Sequence, residues 1–459
     1  MSRSLVAALL LVSGCAVPVT YERPPVELPE AWKESAPRYA EDGRWWRIYQ
    51  DAELERVVDE AIAGNADLVI ALARVDEARA LLGEARSLLY PSVDAQGSAS
   101  RQQISTQTAT SQPGMPRQFT TYRGTLNVSW EIDLFGRLRA GTAAARAELE
   151  ASEASRDAVR LALAAQAAKS YFALRALDEQ VELTRRTVRL REESLGLQRK
   201  RHTAGVISEF ELRQLEAEAA AVRAQLPPLE REREREEVAL SVLLGRTPRD
   251  VFSGTIRVRQ DLDASLEAAV LPAGMPSELL LRRPDLVEAE RLLASANARV
   301  AVARSEMFPS ISLTAFLGGE SQDLSNLFSS PARVWGLAAG LTQPIFQAGR
   351  LTARSDAAKA RERQALTQYE QAIRSAFGDV RTALVAQTRS RESYDAETAR
   401  AAALTDTLRL ARLRYENGIA SQLDVLDAER GLLAARSARI EALRAHRAAV
   451  ADLFRALGG

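Results

Sequence analysis

Few side chains in this sequence could bind a metal or carry out acid–base catalysis. Its 459 residues include 2 His and 1 Cys, whereas zinc sites and most general-base sites depend on such residues. The sequence contains no Gly-x-Ser-x-Gly elbow, phosphate loop or metal cluster, and we expect His202 and His446 to lie at the surface. An enzyme such as a hydrolase is therefore disfavoured, and no metal or soluble cofactor is predicted.

The single cysteine has a different chemistry available to it. Arg3 precedes a short apolar stretch, Leu5 to Val12, which is too short to span a bilayer and is typical of a signal peptide. It ends in Val12-Ser13-Gly14-Cys15, which resembles the bacterial lipobox, where cleavage before the cysteine is followed by its acylation. Each buried methylene contributes roughly 0.8 kcal/mol, so several acyl chains give stable anchoring to membrane lipid. The alternative is an ordinary secretory signal followed by a free thiol.

Composition limits the remaining classes. The 61 basic and 61 acidic residues cancel, so no overall field would attract nucleic acid. Aromatic residues make up 5% and charged residues 27%, and the apolar content comes largely from Ala, Leu and Val. This balance is typical of long helices and coiled coils.

Three motifs recur in the same order, roughly 210 to 220 residues apart. Tyr90-Pro91-Ser92 recurs as Phe308-Pro309-Ser310, and segment 201–208 recurs as 414–421. Between them, Phe135-Gly136-Arg137 is echoed by residues 346–350. Three matches in register indicate a duplicated unit.

Each copy contains two segments with the alternation of a strand that has one apolar side. The four segments cover 92–100, 125–134, 310–317 and 334–345. In the clearest, the apolar side chains are Leu126, Val128, Trp130, Ile132 and Leu134. About ten residues suffice to cross a bilayer at a tilt, but four strands cannot close a barrel, and lipid does not tolerate an open edge. Either the strands form a soluble sheet or several protomers pool them.

Long helical stretches follow each strand pair. Residues 138–200 and 351–415 are rich in Ala, Leu, Glu and Arg, and at 1.5 Å per residue each would extend about 95 Å. Shorter helices return over 209–244 and 422–457, and Pro227-Pro228 is predicted to break the first of them. A helix over 53–89 precedes the first strand pair, and Pro284 is predicted to begin a helix before the second.

These features divide the chain into five parts. Residues 1–14 are the signal peptide, and 15–48 are a lipidated, Pro-rich tether with the start of an equatorial region. Residues 49–244 form the first repeat, 245–283 a less regular connector, and 284–459 the second repeat.

In their order, these features resemble the TolC-like outer-membrane factor family, and within it the NodT/OprM-type efflux lipoproteins. The resemblance spans essentially the whole mature chain. It is carried by the lipobox, Trp45-Trp46 to Asp67-Leu68, Arg283-Pro284-Asp285, the turn from Gln343 to Arg350, and Tyr415…Gly418…Asp424-Val425-Leu426-Asp427-Ala428.

The resemblance implies a mainly α fold with a small β part, in which three protomers trimerise into a 12-stranded outer-membrane β-barrel continued by a periplasmic α-helical barrel. It implies a passive exit duct for drugs or other toxic small molecules, working with a periplasmic adaptor and an inner-membrane pump. The main alternative is a lipid-anchored periplasmic coiled-coil scaffold without a pore.

In such proteins the helix–turn–helix tips meet the adaptor. The matching positions are Arg201, Gly205, Ser208, Arg414, Gly418 and Ser421. A helix that ends in a tight reversal needs a left-handed residue, which accounts for the glycines. The alternative for each motif is a plain helix C-cap.

Family members close the periplasmic end with rings of side chains just after the second tip. By position these resemble Leu423, Asp427 and Arg430, whose spacing puts them on one helix face. An apolar ring resists wetting, and an acidic ring holds cations. The alternative is that Asp427 and Arg430 merely pair on the helix surface. The first-copy positions are Phe210, Gln214 and Ala217.

Overall fold

A computed structural model describes residues 21–25, 43–105, 117–254, 256 and 282–459. Most of these residues are helical, and four strands form one sheet, so the predicted mainly α fold with a small β part is confirmed. The helices are α1 (Ala52–Gly64), α2 (Ala66–Ser87), α3 (Arg137–Thr203), α4 (Glu209–Leu243), α5 (Pro248–Ser253), α6 (Pro284–Ser305), α7 (Arg350–Glu416) and α8 (Gln422–Leu457). The strands are β1 (Ser92–Gln103), β2 (Gln118–Ile132), β3 (Ser310–Ser321) and β4 (Arg333–Thr342). Short 3-10 turns occur at Trp45–Tyr49, Leu324–Asn326 and Ser330–Ala332.

One helix boundary differs from the prediction. The stretch predicted as one helix over 53–89 is divided at Asn65, whose side-chain oxygen accepts a 2.8 Å hydrogen bond from the backbone of Asp67 and starts α2. A bilayer-crossing apolar stretch is absent from every helix in the described part of the chain.

The predicted break at Pro227 and Pro228 is wrong, because α4 continues through both. Each proline removes one helical hydrogen bond and costs about 3 kcal/mol. The carbonyls left without partners belong to Arg223 and Ala224, and all four residues are exposed, so water can hydrate these carbonyls. Buried residues on both sides of the prolines, such as Val222 and Leu240, keep the helix packed.

The four strands are antiparallel in the order β1–β2–β3–β4. The register places Ala95 opposite Leu126, Leu126 opposite Leu317, and Leu317 opposite Trp335. Directly paired residues point to the same side, so the predicted apolar residues share one face, here called the apolar face. Its large side chains are exposed, Trp335 by 74%. Strands β1 and β4 lie at the edges and each has one neighbour in this sheet.

The described residues form two compact units. The sheet unit comprises residues 21–25, Arg74–Glu153 and Glu288–Glu370. The tip unit comprises residues 43–73 and the described residues of Ala154–Val287 and Gln371–Gly459.

The main core of the tip unit explains two of the sequence motifs. Trp45 and Trp46 are buried, and Trp45 stacks on Phe454 with ring centroids 5.3 Å apart. The guanidinium of buried Arg283 donates to the carbonyl of Ala456 (3.1 Å) and to the carboxylate of Asp379 (3.0 Å). The Arg283-Pro284-Asp285 motif thus connects the start of α6 with α7 and α8.

The expectation that His446 lies at the surface is wrong. Its side chain is on a face of α8 that packs toward α7, where Nδ1 lies 3.2 Å from the hydroxyl of Ser390. His446 is 4% exposed, and burial, with the nearby positive charge of Arg391, lowers its pKa to about 4. His202 is partly exposed.

Part of the predicted tether lies on the sheet unit. Arg23 makes two hydrogen bonds, of 2.8 and 2.6 Å, to the buried carboxylate of Glu290 on α6. Cys15, the lipobox and most of the connector over 257–281 lie outside the described residues.

Candidate aperture and helix tips

The first helix tip, residues 201–208, is a complete helix C-cap followed by an N-cap. The amide of Gly205 donates to the carbonyl of His202 and that of Val206 to Arg201, both at 2.8 Å, which is the Schellman pattern. Gly205 has φ +72°, the left-handed conformation that a side chain disfavours. Ser208 then caps α4 in a capping box with Glu211.

The second tip, residues 414–421, repeats this geometry. Gly418 also has φ +72°, and the amide of Ile419 donates to the carbonyl of Arg414 at 2.8 Å. Ser421 forms a capping box with Asp424. Hydrogen bonds from the hydroxyl and the backbone amide of Ser421 hold the pKa of Asp424 below its usual range. The predicted left-handed glycines are therefore confirmed at both tips.

The two tips are in contact with each other within the tip unit. Nη1 of Arg201 donates to the hydroxyl of Tyr415 at 2.9 Å. Leu426 at the start of α8 packs against Leu195, Leu212 and Leu215 of the first helix pair. The duplicated motifs thus form one small cluster with an apolar centre.

The three predicted aperture residues lie on one exposed face of α8. Leu423 is 44% exposed, and Asp427 and Arg430 are also exposed. The neighbouring side chains of Val425 and Leu426 are buried, and their burial fixes the rotation of the helix. Spacing alone was enough to predict this common face.

Arg430 bridges two helices. Its Nε donates to Glu218 of α4 at 2.8 Å, its Nη2 donates to the second oxygen of that carboxylate, and its Nη1 donates to Asp427 at 3.2 Å. These hydrogen bonds hold the pKa of Glu218 below its usual range. The expected surface pairing of Asp427 with Arg430 is present, but the stronger, bidentate contact is made with Glu218.

A second bridge lies beside the first. The carboxylate of Glu429 lies 2.7 Å from Nη1 of Arg191 on α3 and accepts a 2.8 Å hydrogen bond from Arg412 on α7. Arg191 is 8% exposed, so this ion pair is screened less than one at the surface. The start of α8 is therefore connected by charge to α3, α4 and α7.

Sequence reasoning missed Glu218, Arg191 and Arg412. Spacing within one helix identifies a common face, but it does not specify which side chain of another helix will meet it. The first-copy position that matches Arg430 is Ala217, and Glu218 is the next residue. This neighbouring position in the repeat was the only signal in the sequence that pointed to Glu218.

Among the described residues, no group of three or more His, Cys, Asp or Glu side chains is placed to hold a metal ion. The site consists of helix caps, ion pairs and an exposed helix face, which suits contact or gating.

Comparison with known proteins identifies the family. The chain matches the family described as outer membrane efflux protein over residues 57–246 and 275–459. It is 34% identical to the probable efflux pump outer membrane protein TtgC of Pseudomonas putida, covering 99% of this chain and 95% of that protein.

Two solved structures have the same fold. The CmeC outer membrane channel of Campylobacter jejuni superposes with a TM-score of 0.89, 27% identity and coverage of 97% of this chain and 95% of that one. The open state of the MtrE outer membrane channel of Neisseria gonorrhoeae gives a TM-score of 0.84, 35% identity and coverage of 96% and 97%. This chain belongs to the outer membrane efflux protein family.

Proposed function

We propose that this chain is the exit duct of a tripartite efflux system and passively conducts small molecules across the outer membrane. A periplasmic adaptor and an inner-membrane pump supply the selectivity and the energy. TtgC, at 34% identity, is described as part of an efflux pump, which supports this assignment.

The observation that carries the proposal is the sidedness of the sheet. Large apolar side chains from all four strands share one exposed face, including Leu126, Leu317, Trp335 and Leu337. Burial of such a face in lipid is favourable, but the edge strands β1 and β4 would then carry unpaired backbone groups at high cost. A homotrimer, in which β4 of one protomer pairs with β1 of the next, would satisfy these groups in a 12-stranded barrel.

The tip unit would supply the periplasmic end. The residues proposed to line the aperture are Leu423, Asp427 and Arg430, and the two glycine tips are proposed to meet the adaptor. Leu423 would resist wetting and Asp427 would hold cations at the constriction. The acyl chains proposed on Cys15 would add a separate anchor in membrane lipid.

The competing function is a lipid-anchored scaffold without a pore, and the variant Cys15→Ala separates the two. An exit duct without its lipid should still fractionate with outer membranes and require detergent for release, because its strands stay in the bilayer. Purified into planar bilayers, it should give discrete conductance steps.

A scaffold would behave differently in the same measurement. Release of Cys15→Ala by salt washing alone, together with a lack of conductance by the acylated protein, would exclude the exit duct. A small pool of unfolded variant is recognised by its protease sensitivity and is not counted as released protein.

A further inference from the structure

The apolar face of the sheet carries two charged side chains among the described strand residues, and both are arginines. They are Arg101 on β1 and Arg333 on β4. Both lie toward the loop end of the sheet, which we define as the end where β1 stops and β4 begins. The opposite face carries acidic residues as well, namely Asp94, Glu131 and Glu320. Positive charge is therefore confined to one end of the apolar face.

A row of residues without side chains crosses this end of the apolar face. Gly97 pairs with Gly124, Gly124 with Gly319, and Gly319 with Arg333. The adjacent row toward the helices contains Leu126 and Leu317. The glycines thus form a trough, one residue wide, that ends at an arginine.

The segment between β3 and β4 covers part of this loop-end trough. A Cβ on Gly319 would lie 2.0 Å from the carbonyl oxygen of Leu327, and one on Gly124 would lie 3.6 Å from its side chain. Above Gly97 the space is open. Phe328, beside this opening, is 93% exposed. The remaining groove has a volume of about 660 Å³.

Arg333 is exposed, and no ion pair joins it to an acidic side chain within the described part of the chain. By contrast, Arg123 on the opposite face lies 3.5 Å from Glu320 and 5.0 Å from the ring of Phe316. An uncompensated guanidinium beside an apolar trough complements a ligand that is both apolar and anionic.

We propose that the loop-end trough binds a lipid with an anionic phosphate headgroup. An acyl chain packs over Gly97 against Leu327 and Phe328, and Arg333 donates hydrogen bonds to the phosphate. This assignment rests on the proposed function, because it requires the apolar face to lie in lipid. Aromatic and basic side chains at such a level are typical of membrane interfaces.

The test is native mass spectrometry of the full assembly, titrated with phosphatidylglycerol or phosphatidylcholine of identical acyl chains. The wild-type protein should retain phosphatidylglycerol in preference. Arg333→Gln should weaken its binding about fivefold, the effect of one basic residue near a membrane surface. Gly97→Leu should fill the open part of the trough and weaken both lipids.

Arg123→Gln is the matched control, because it removes the same charge from the opposite face of the same sheet and should leave the preference unchanged. Equal retention of the two lipids by the wild-type protein would overturn the proposal, and so would equal losses in Arg333→Gln and Arg123→Gln. Conductance of each variant is recorded in parallel. Normal conductance without lipid preference rejects only the trough, whereas lack of conductance in the wild-type protein rejects the exit duct.

Discussion

At the scale of single residues, the position of the proposed aperture face, formed by Leu423, Asp427 and Arg430 on α8, depends on Arg430. Its guanidinium binds Glu218 on another helix and Asp427 on its own. Since Arg430 is 48% exposed and its partner Glu218 is 14% exposed, solvent screens the pair, and we expect it to contribute about 1 kcal/mol. That is enough to change a two-state ratio about fivefold.

Arg430→Gln should raise the open probability of single channels. Without the bridge, the start of α8 is held less firmly to α4, and the conducting population should increase by up to about fivefold. Planar-bilayer recordings measure this directly. The exchange Glu218→Arg with Arg430→Glu should restore the wild-type open probability.

Asp427→Ala is the matched comparison, because it leaves the contact with Glu218 in place. It should change the block of the channel by divalent cations more than it changes the open probability.

Because the pKa of Glu218 is held low by Arg430, the bridge between them should persist as pH falls through the ordinary range of a glutamate and be lost only below it. A wild-type conductance that rises already near pH 6 would contradict this assignment.

His446 should make the tip unit sensitive to acid. Its pKa in the folded chain is about 4, compared with 6.5 for the ordinary group. The folded state therefore favours the neutral ring: stability is complete above pH 6.5 and falls as pH drops toward 4, by at most about 1.4 kcal/mol per pH unit. In thermal unfolding scans, His446→Gln should flatten this decline.

The control is His202→Gln, since the chain has 2 His and His202 is partly exposed on α3. It should keep the wild-type dependence on pH. If both variants and the wild-type protein lose stability in parallel between pH 6.5 and 4, other groups are responsible.

At the scale of elements, the tip glycines allow docking to be separated from folding. Gly205 and Gly418 both have φ +72° and open space where a Cβ would lie, and a non-glycine residue there costs roughly 1 to 2 kcal/mol. Gly205→Glu with Gly418→Glu should abolish efflux in a drug-susceptibility assay while the yield of assembled protein stays near normal.

Gly205→Asn with Gly418→Asn is the conservative pair, because asparagine tolerates the left-handed conformation. It should retain export. If the double glutamate variant still exports, and both double variants are present at wild-type levels, the tips are not docking points.

The local sequence pattern was sufficient to predict those strands and helix ends that depend mainly on neighbouring residues. The alternation around Trp130 predicted a strand, and Gly205 and Gly418 predicted helix ends. The start of β2 at Gln118 was missed because residues 118–124 lack alternation and are held by pairing with β1 and, at their end, β3. Contacts between distant elements, such as Glu218 with Arg430, have no signature in a helical period.

The prolines of α4 illustrate the opposite error. Pro227 and Pro228 have a strong local tendency to end a helix, yet packing on either side outweighs it. The burial of His446 was not predicted for a related reason. Whether a polar residue on a helix is buried depends on the helix that packs against it, and the sequence does not specify that neighbour.

At the scale of the whole molecule, the edge strands β1 and β4 are where the copies of the proposed trimer would join. Directly opposed residues in an antiparallel pair have Cα atoms about 4.5 to 5.5 Å apart, within the range of a disulfide. We therefore expect that a cysteine on β1 (Ala95→Cys or Ala99→Cys) combined with one on β4 (Leu337→Cys or Leu341→Cys) will form intermolecular disulfides in at least one of the four combinations. Non-reducing gels of oxidised membranes should show a ladder that ends at three chains.

The pair Val128→Cys with Leu337→Cys is the control. Val128 lies on β2, which has neighbours on both sides within one protomer, and β3 separates it from Leu337. This pair should remain monomeric on the gel. Val128 on β2 does not face another protomer, and β3 keeps it too far from Leu337 for a disulfide within one protomer. A ladder longer than three chains would contradict the trimer, and monomers in all four edge combinations would contradict pairing of β1 with β4. In that case the unpaired backbone groups of the edge strands would have to be satisfied by water, and the apolar face could not lie in lipid.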